Sequence, residues 1–426
     1  MLFAWSILAF LVVSIVMGIP MVVGFASASL LPLVMGTDGY DITQLITWIL
    51  NGNSNTYLAI TFFVVAGNIM SKGNISEKVY ELFAYFLGDK NGFLPICALL
   101  TATFYGMVSG SAIAVTAAVG SLCLPILTRA GYDKKYFATL LCSSGCLGMI
   151  IPPSTTVLTA AGLMGIEDTT PALRLTMLIG LTCMVFLMAC SLVHTRKDQG
   201  NREQIMREFV ERREKGLARV FAESIWALMI PVIILGTIFS GLLTANEAAA
   251  VSVVYCMIIS VYVYKTMTWK DIWNTIIGSI KTFGPLCIMM AVVIGFSNVI
   301  PAAGANEFVG NVLQNVPFNS TAFMLITVIC ISLMGFFMAG TSVLVPIMLP
   351  LATQLGIDMT LWCAIVAAVG AFALLTPPYG YGLLIMAPMA DVPVGEMFKK
   401  VLPFWLGLTL IAVIYAVFPG LTAWLL

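Results

Sequence analysis

Ser109-Gly110-Ser111 interrupts an otherwise continuous apolar run, and Ile151-Pro152-Pro153-Ser154-Thr155 interrupts the next one. About 230 residues on, the punctuation returns as Gly340-Thr341-Ser342 and then Thr376-Pro377-Pro378-Tyr379-Gly380. From Gly110 to Pro152 is 42 positions and from Gly340 to Pro377 is 37, so each half carries a small hydroxyl-rich break followed by a double-proline break. Interruptions at corresponding places in two halves of an apolar chain point to a transporter's discontinuous helices.

Composition sets the surroundings of these breaks. Hydrophobic residues make up 60% of the 426 and charged residues 9%, with a mean hydropathy of +1.02. A soluble domain carries about 25% charged residues, so the chain reads as an all-α polytopic membrane protein. Twenty Lys and Arg balance twenty Asp and Glu, and with no basic patch outside one loop nothing suggests nucleic acid. All ten cysteines fall in apolar segments. Cys142 and Cys146 are close in sequence, yet they have no His or acidic neighbour to complete a metal site and read as small core residues. The start, Met1-Leu2-Phe3-Ala4-Trp5, lacks a basic n-region, so the first apolar segment is expected to stay in the bilayer.

Six apolar runs precede residue 196 and six follow residue 223. A full span needs roughly 20 residues, and the runs 93–128 and 321–356 exceed that while carrying a break near their middle. Each therefore reads as a re-entrant hairpin, whose non-helical tip is tolerable at membrane depth only inside protein or against a cavity. The expected organisation is two inverted repeats, 1–195 and 224–426, joined by a connector at 196–223. The first holds scaffold helices within 1–71, an arm at 75–88, the hairpin 93–128 and a broken helix 135–163; the second holds an arm at 269–282, the hairpin 321–356 and a broken helix 360–390.

Charge placement tests that map, because Lys and Arg of short loops collect on the cytoplasmic side. If the two hairpins open to opposite faces, the inward segments 72–92, 129–136, 196–223, 265–283 and 391–400 hold nineteen of the twenty basic residues, all but Arg174. Both termini then lie on the periplasmic side and the halves run with opposite orientation. The connector, with eight basic and six acidic residues, reads as an amphipathic cytoplasmic linker.

Ser109, Ser111, Thr341 and Ser342 offer hydroxyl oxygens, Gly110 and Gly340 let the backbone turn, and each proline pair frees preceding carbonyls by removing amide donors. Neutral oxygens of this kind suit a hard cation, and Na⁺ is the natural one. Small residues also permit close helix packing, but that alone does not explain four breaks in a matched pattern. No Asp or Glu falls in either hairpin or either broken helix, and the single histidine, His194, sits at the end of a span. Proton coupling, which calls for intramembrane titratable groups, is thus disfavoured. An ATP-hydrolysing loop is missing from the sequence, and a nucleophile with its base is too, so no enzyme is expected.

Gly106-Met107-Val108-Ser109-Gly110-Ser111-Ala112, Pro125, Gly131-Tyr132 and Gly148-Met149-Ile150-Ile151-Pro152-Pro153-Ser154 together resemble the large membrane subunit of tripartite ATP-independent periplasmic transporters. Ala66-Gly67-Asn68-Ile69-Met70, Thr244-Ala245-Asn246-Glu247-Ala248 and Thr376-Pro377-Pro378 extend the resemblance over essentially the whole chain. It implies a Na⁺-coupled importer of an organic anion in the bacterial inner membrane, working with an elevator-type moving domain. It further implies a small four-helix membrane subunit, here a separate chain, and a soluble periplasmic substrate-binding protein, all among membrane lipids.

By that resemblance one Na⁺ site is expected at Ser109, Gly110 and Ser111 with Pro152 and Ser154, and a second at Gly340, Thr341 and Ser342 with Thr376 and Pro377. Asn68, Thr155, Asn298 and Tyr379 are expected to contact substrate. Tyr379-Gly380-Tyr381 departs from the family's pattern by placing two aromatics beside the second proline pair. Sialic acid is the leading substrate and C4-dicarboxylates the second; an anion channel or a membrane scaffold are the readings from other classes.

Overall fold

The computed structural model describes residues 19–35, 41–51, 55–73, 75–90, 92–197, 200–214, 216–302, 319–336, 340–377 and 380–422, with single positions at 10, 13 and 17. Helices dominate, and among the described residues there is no strand. In the first half they are α1 (Met21–Val34), α2 (Ile42–Asn51), α3 (Asn55–Lys72), α4 (Ile75–Leu87), α5 (Leu94–Ser109), α6 (Ala112–Arg129), α7 (Lys134–Ile150), α8 (Thr155–Met164) and α9 (Thr170–Thr195). The connector forms α10 (Arg202–Glu214). The second half continues with α11 (Leu217–Phe239), α12 (Ala245–Ile258), α13 (Trp269–Ala302), α14 (Ser320–Met334), α15 (Gly340–Gln354), α16 (Met359–Phe372), α17 (Tyr381–Ala390) and α18 (Val394–Val417).

An internal repeat sets the register between the halves. Leu124-Pro125-x-x-Thr128-x-x-Gly131-x-Asp133 returns as Leu349-Pro350-x-x-Thr353-x-x-Gly356-x-Asp358, a shift of 225 positions. Both copies fold alike. Gly131 and Gly356 take left-handed φ values of 83° and 62°, which residues with a Cβ rarely adopt. The Tyr132 N–H then donates back to Leu127 O at 3.1 Å, as that of Ile357 does to Ala352 O at 3.0 Å, closing the preceding helix in the six-to-one pattern. Asp133 caps α7 by accepting from Lys135 N at 2.9 Å, and Asp358 caps α16 by accepting from Thr360 N at 2.9 Å.

Two features revise the sequence reading. The 225 shift carries Pro152 onto Pro377 but Gly110 onto Gly335 rather than Gly340. Gly110 ends α5 and Gly335 ends α14, so Gly340-Thr341-Ser342 opens the returning helix instead of matching the first tip. The arm expected at 269–282 is not a separate piece either, because α13 runs unbroken for 34 residues, about 51 Å at the usual helical rise. Packing against α1, α2 and α3 holds it as one rod, whereas α3 and α4 bend by 68° around Gly73.

The hairpins are α5–α6 and α14–α15. With 16, 18, 15 and 15 residues, these arms span about 22–27 Å, short of the roughly 30 Å hydrocarbon core. Tight backbone approach presses each hairpin on the broken helix that follows. A Cβ added to Gly106 would stand 2.1 Å from Gly148 Cα, and one on Gly145 or Gly370 would stand 2.4 Å from Thr116 Oγ1 or Thr341 Oγ1, the same pair in each half.

Beyond each break the chain crosses over. The piece α8 packs against α15 and α16 of the second half, and α17 packs against α6 and α7 of the first. That reciprocal exchange welds hairpins and broken helices into one body, to which α9 and α18 attach by packing against each other and against α7 and α16. The rest, α1–α4 and α11–α13, forms a frame in which α12 lies along α3, and α11 along α4. Lys78 on α4 donates to Glu223 at 2.8 Å and its carbonyl accepts from Ser224 Oγ at 2.8 Å, which pins that last contact.

Candidate functional site

At the first break, α5 ends where Gly110 takes a left-handed φ of 57° and its N–H donates to Gly106 O at 2.8 Å. Ser111 Oγ then caps α6 by accepting from Ala114 N at 3.3 Å, and Ser109 Oγ accepts from Ser111 N at 3.4 Å. The tip rests on the first broken helix, since a Cβ on Gly110 would lie 2.7 Å from Thr155 Cγ2 and 3.3 Å from Pro153 O. Thr155 Oγ1 donates to the Gly110 carbonyl at 2.5 Å and so joins the tip to the break.

The prolines act through carbonyls that precede them by four residues. Pro152 and Pro153 offer no N–H, so Gly148 O and Met149 O lose their helical donors. Met149 O recovers two, from Ser154 Oγ and from Thr156 Oγ1, the latter at 2.8 Å. Ser154 also caps α8 by accepting from Val157 N at 3.1 Å. Neither Met149 nor Thr156 was singled out from sequence, although counting back four from each proline would have found the carbonyl.

The second break is built alike with different residues. Ala373 O and Leu374 O face Pro377 and Pro378 in the helical count and so lose their i+4 donors, and Ala373 O accepts from Thr376 N at 3.1 Å instead. Thr376 Oγ1 lies 2.8 Å from Ala373 O and 3.1 Å from Gly335 O, sharing its proton between the break and the end of α14. Gly340, Ser342 and Thr376 are buried, Thr341 is half-buried against Gly370, and Pro377 is half-buried. Tyr379 lies outside the described residues, as do Pro378 and 337–339.

Of the two asparagines, Asn68 neighbours the first joint. It follows Gly67, whose added Cβ would stand 2.4 Å from Ser109 Cα, and its Nδ2 donates to Ser279 Oγ on α13 at 2.8 Å. Asn298 is exposed, donates to Ile294 O of its own helix at 2.9 Å, and has no described contact with either joint.

Among the described residues no cluster of three His, Cys, Asp or Glu could hold a metal. The ten cysteines are unbridged. What the joints offer is neutral oxygen: backbone carbonyls beside the proline breaks and hydroxyls whose lone pairs remain after their protons are given. Such a set can replace the hydration shell of a hard monovalent cation, and the residues present fit one at each joint.

Crossed broken helices and paired hairpins define a polytopic membrane transporter built from two related halves. The YdaH transporter of Alcanivorax borkumensis has the same fold, with a TM-score of 0.61 at 14% identity, covering 89% of this chain and 90% of that one. So does MtrF of Neisseria gonorrhoeae, with a TM-score of 0.62 at 14% identity over 88% and 83%. More particularly, the chain belongs to the family described as Tripartite ATP-independent periplasmic transporter, DctM component, which it matches over residues 5–421.

Several relatives lie at similar identity to this chain. The 2,3-diketo-L-gulonate TRAP transporter large permease protein YiaN of Escherichia coli is 29% identical over 91% of each chain. The C4-dicarboxylate TRAP transporter large permease protein DctM of Pseudomonas aeruginosa is 29% identical over 86% of this chain and 85% of its own. The sialic acid TRAP transporter permease protein SiaT of Haemophilus influenzae is 26% identical over 85% of this chain and 58% of its own.

Proposed function

We propose that the chain is the large permease of a Na⁺-coupled importer for a small organic acid anion in the bacterial inner membrane. The observation that carries this reading is the matched pair of joints, each built from neutral oxygens, with no Asp or Glu in either hairpin or broken helix. Coupling through such groups calls for a cation bound with its full charge. The cation lies at Ser109, Gly110, Ser111 and the break at Pro152–Ser154 in one half, and at Gly340–Ser342 with Thr376 and Pro377 in the other.

The substrate class follows from the relatives' names, which cover a diketogulonate, C4-dicarboxylates and sialic acid. Their closely spaced identities separate none of these, so the substrate is taken as an organic carboxylate of this class rather than sialic acid in particular. A periplasmic binding protein delivers it and a small membrane subunit completes the frame. SiaT extends well beyond its match to this chain, which leaves room in that relative for such a partner.

Transport proceeds as the body of α5–α9 and α14–α18 slides on the frame. The hydrogen bonds that cross that boundary include Tyr105 Oη to Gly67 O at 3.2 Å and Arg174 to Phe239 O at 3.5 Å. The apolar remainder resists sliding little, because apolar contacts have no fixed direction.

The test is uptake into proteoliposomes under an imposed Na⁺ gradient, with the binding protein and candidate carboxylates supplied. Ser111→Ala and Ser342→Ala should each move the Na⁺ activation midpoint upward by roughly tenfold, the effect of losing one interaction of about 1.4 kcal/mol. Uptake that persists when choline replaces Na⁺, or unshifted midpoints in both variants, would overturn the reading.

A further inference from the structure

One cleft of the body is left unused by the joints. It encloses about 460 Å³ between the second half of α6, the start of α7 and the end of α17, and Ser121, Leu124, Pro125, Arg129, Lys134 and Met389 line it. That volume falls in the range of small-molecule pockets, roughly 300–1,000 Å³. We propose that this cleft binds the phosphate-bearing headgroup of an anionic phospholipid in the adjoining leaflet.

Charge is the first argument. Arg129 and Lys134 have no acidic partner among the described residues, and the Arg129 Nε contact is to Pro125 O at 3.4 Å, leaving the guanidinium's outer nitrogens for a ligand. Carboxylates nearby are engaged or turned away. Asp133 faces Lys400 at 3.4 Å and caps α7, Glu396 pairs with Lys135 at 2.8 Å, and Asp391 is not in the lining. Two cations open to one cleft, without a counter-charge in its wall, suit an anion.

Symmetry is the second. The 225 shift places Gln354 where Arg129 stands and Met359 where Lys134 stands. The second half thus builds the same helix end, turn and cap with neutral residues, so the fold does not require these charges. A rule that gathers basic residues at one face would place them here, but it would not gather both into a single cleft.

Position and walls select the source of the phosphate. Arg129 lies at the last turn of α6, eighteen residues past Ser111 and so about 27 Å along the helix from the tip, at the depth where spans end and headgroups begin. Leu124, Pro125 and Met389 supply apolar wall. A free phosphate ion has no use for that wall, whereas a lipid lays the start of its acyl chains on it.

The measurement is native mass spectrometry of the protein purified in a neutral detergent and titrated with phosphatidylglycerol or phosphatidylcholine. Comparing wild type with the double variant Arg129→Gln, Lys134→Met installs the residues that the second half already carries. Phosphatidylglycerol should be retained over phosphatidylcholine by the wild type, and the double variant should bind it more weakly by about fivefold per lost cation. An exposed control, Arg196→Gln with Lys399→Gln, should bind as wild type does. Should the double variant fold poorly, Lys134→Met alone carries half the expected loss. Equal retention of phosphatidylglycerol by wild type and both variants would overturn the assignment. Displacement of the lipid by millimolar inorganic phosphate would also overturn it, marking a site for the free ion.

Discussion

The two joints solve one problem with hydroxyls placed on opposite sides of the prolines. In the first, Thr155 follows the pair and reaches back to the carbonyl of Gly110; in the second, Thr376 precedes the pair and reaches the carbonyl of Gly335. Under the 225 shift, the position of Thr155 is occupied by Gly380 and that of Thr376 by Ile151. Geometry is therefore conserved between the halves where residue identity is not. The comparison teaches that each hairpin must be fastened by the glycine carbonyl at its turn, and that either flank of a proline break can supply the proton.

Backbone spacing should separate the joints most sharply. Gly148 of the first half corresponds to Ala373 of the second, but a Cβ on Gly148 would meet Gly106 Cα at 2.5 Å and Val115 Cγ2 at 2.9 Å. Gly148→Ala copies the second half and still should cost about 3 kcal/mol, the upper range of overpacking, since two backbones must part. Ala373→Gly should cost about 1 kcal/mol through helix propensity. Thermal unfolding in detergent decides, and equal losses would show that the joints tolerate the same spacing.

Thr155→Val and Thr376→Val come next. Each swap keeps the shape and removes the proton, so a buried glycine carbonyl is left unsatisfied at about 1–3 kcal/mol. Thr155→Ser should restore the wild-type melting temperature while Thr155→Val does not, because the hydroxyl alone is needed. If valine were as good as serine at both joints, the fastening role assigned to these hydroxyls would fall.

Much of this was legible in the sequence, for definite reasons. Proline pairs in an apolar run announce a break whatever surrounds them, and charge counting separates the ends of the bundle, so the hairpins and broken helices could be outlined. The register was harder to see. Gly340-Thr341-Ser342 looks like Ser109-Gly110-Ser111 by composition, and only the Leu-Pro-x-x-Thr-x-x-Gly-x-Asp repeat reveals that Gly335 is the counterpart of Gly110. The direction of Asn298 was not legible for another reason: an amide near the end of an apolar run has no direction in sequence, and here it bonds its own helix. Nor does a run of apolar residues tell whether α9 and α18 pack on the body or the frame, since both surfaces are apolar.

The smallest expected difference lies at the paired caps, Asp133 and Asp358. Both accept the N–H two residues on at 2.9 Å, but Asp133 also faces the Lys400 ammonium at 3.4 Å. Partial burial pushes the Asp133 carboxyl upward, yet Lys400 and the amides of Tyr136 and Lys135 outweigh it and hold the group below the ordinary carboxylate range. A carboxyl lowered in the folded state stabilises above its unfolded pKa of about 3.9 and loses that contribution as pH falls through the folded value. Asn caps a helix about as well as Asp, so Asp358→Asn should be nearly neutral at pH 7. Asp133→Asn should lose the ion pair alone. With side chains 40% and 42% exposed, that loss is below about 1 kcal/mol and shrinks in high salt. Melting temperatures at pH 7 and pH 3, each in low and 1 M salt, read the difference. The variant should trail wild type at pH 7 in low salt and converge with it at pH 3. A gap that survives both acid and salt would mean that Asp133 supports the fold through its cap and not through Lys400.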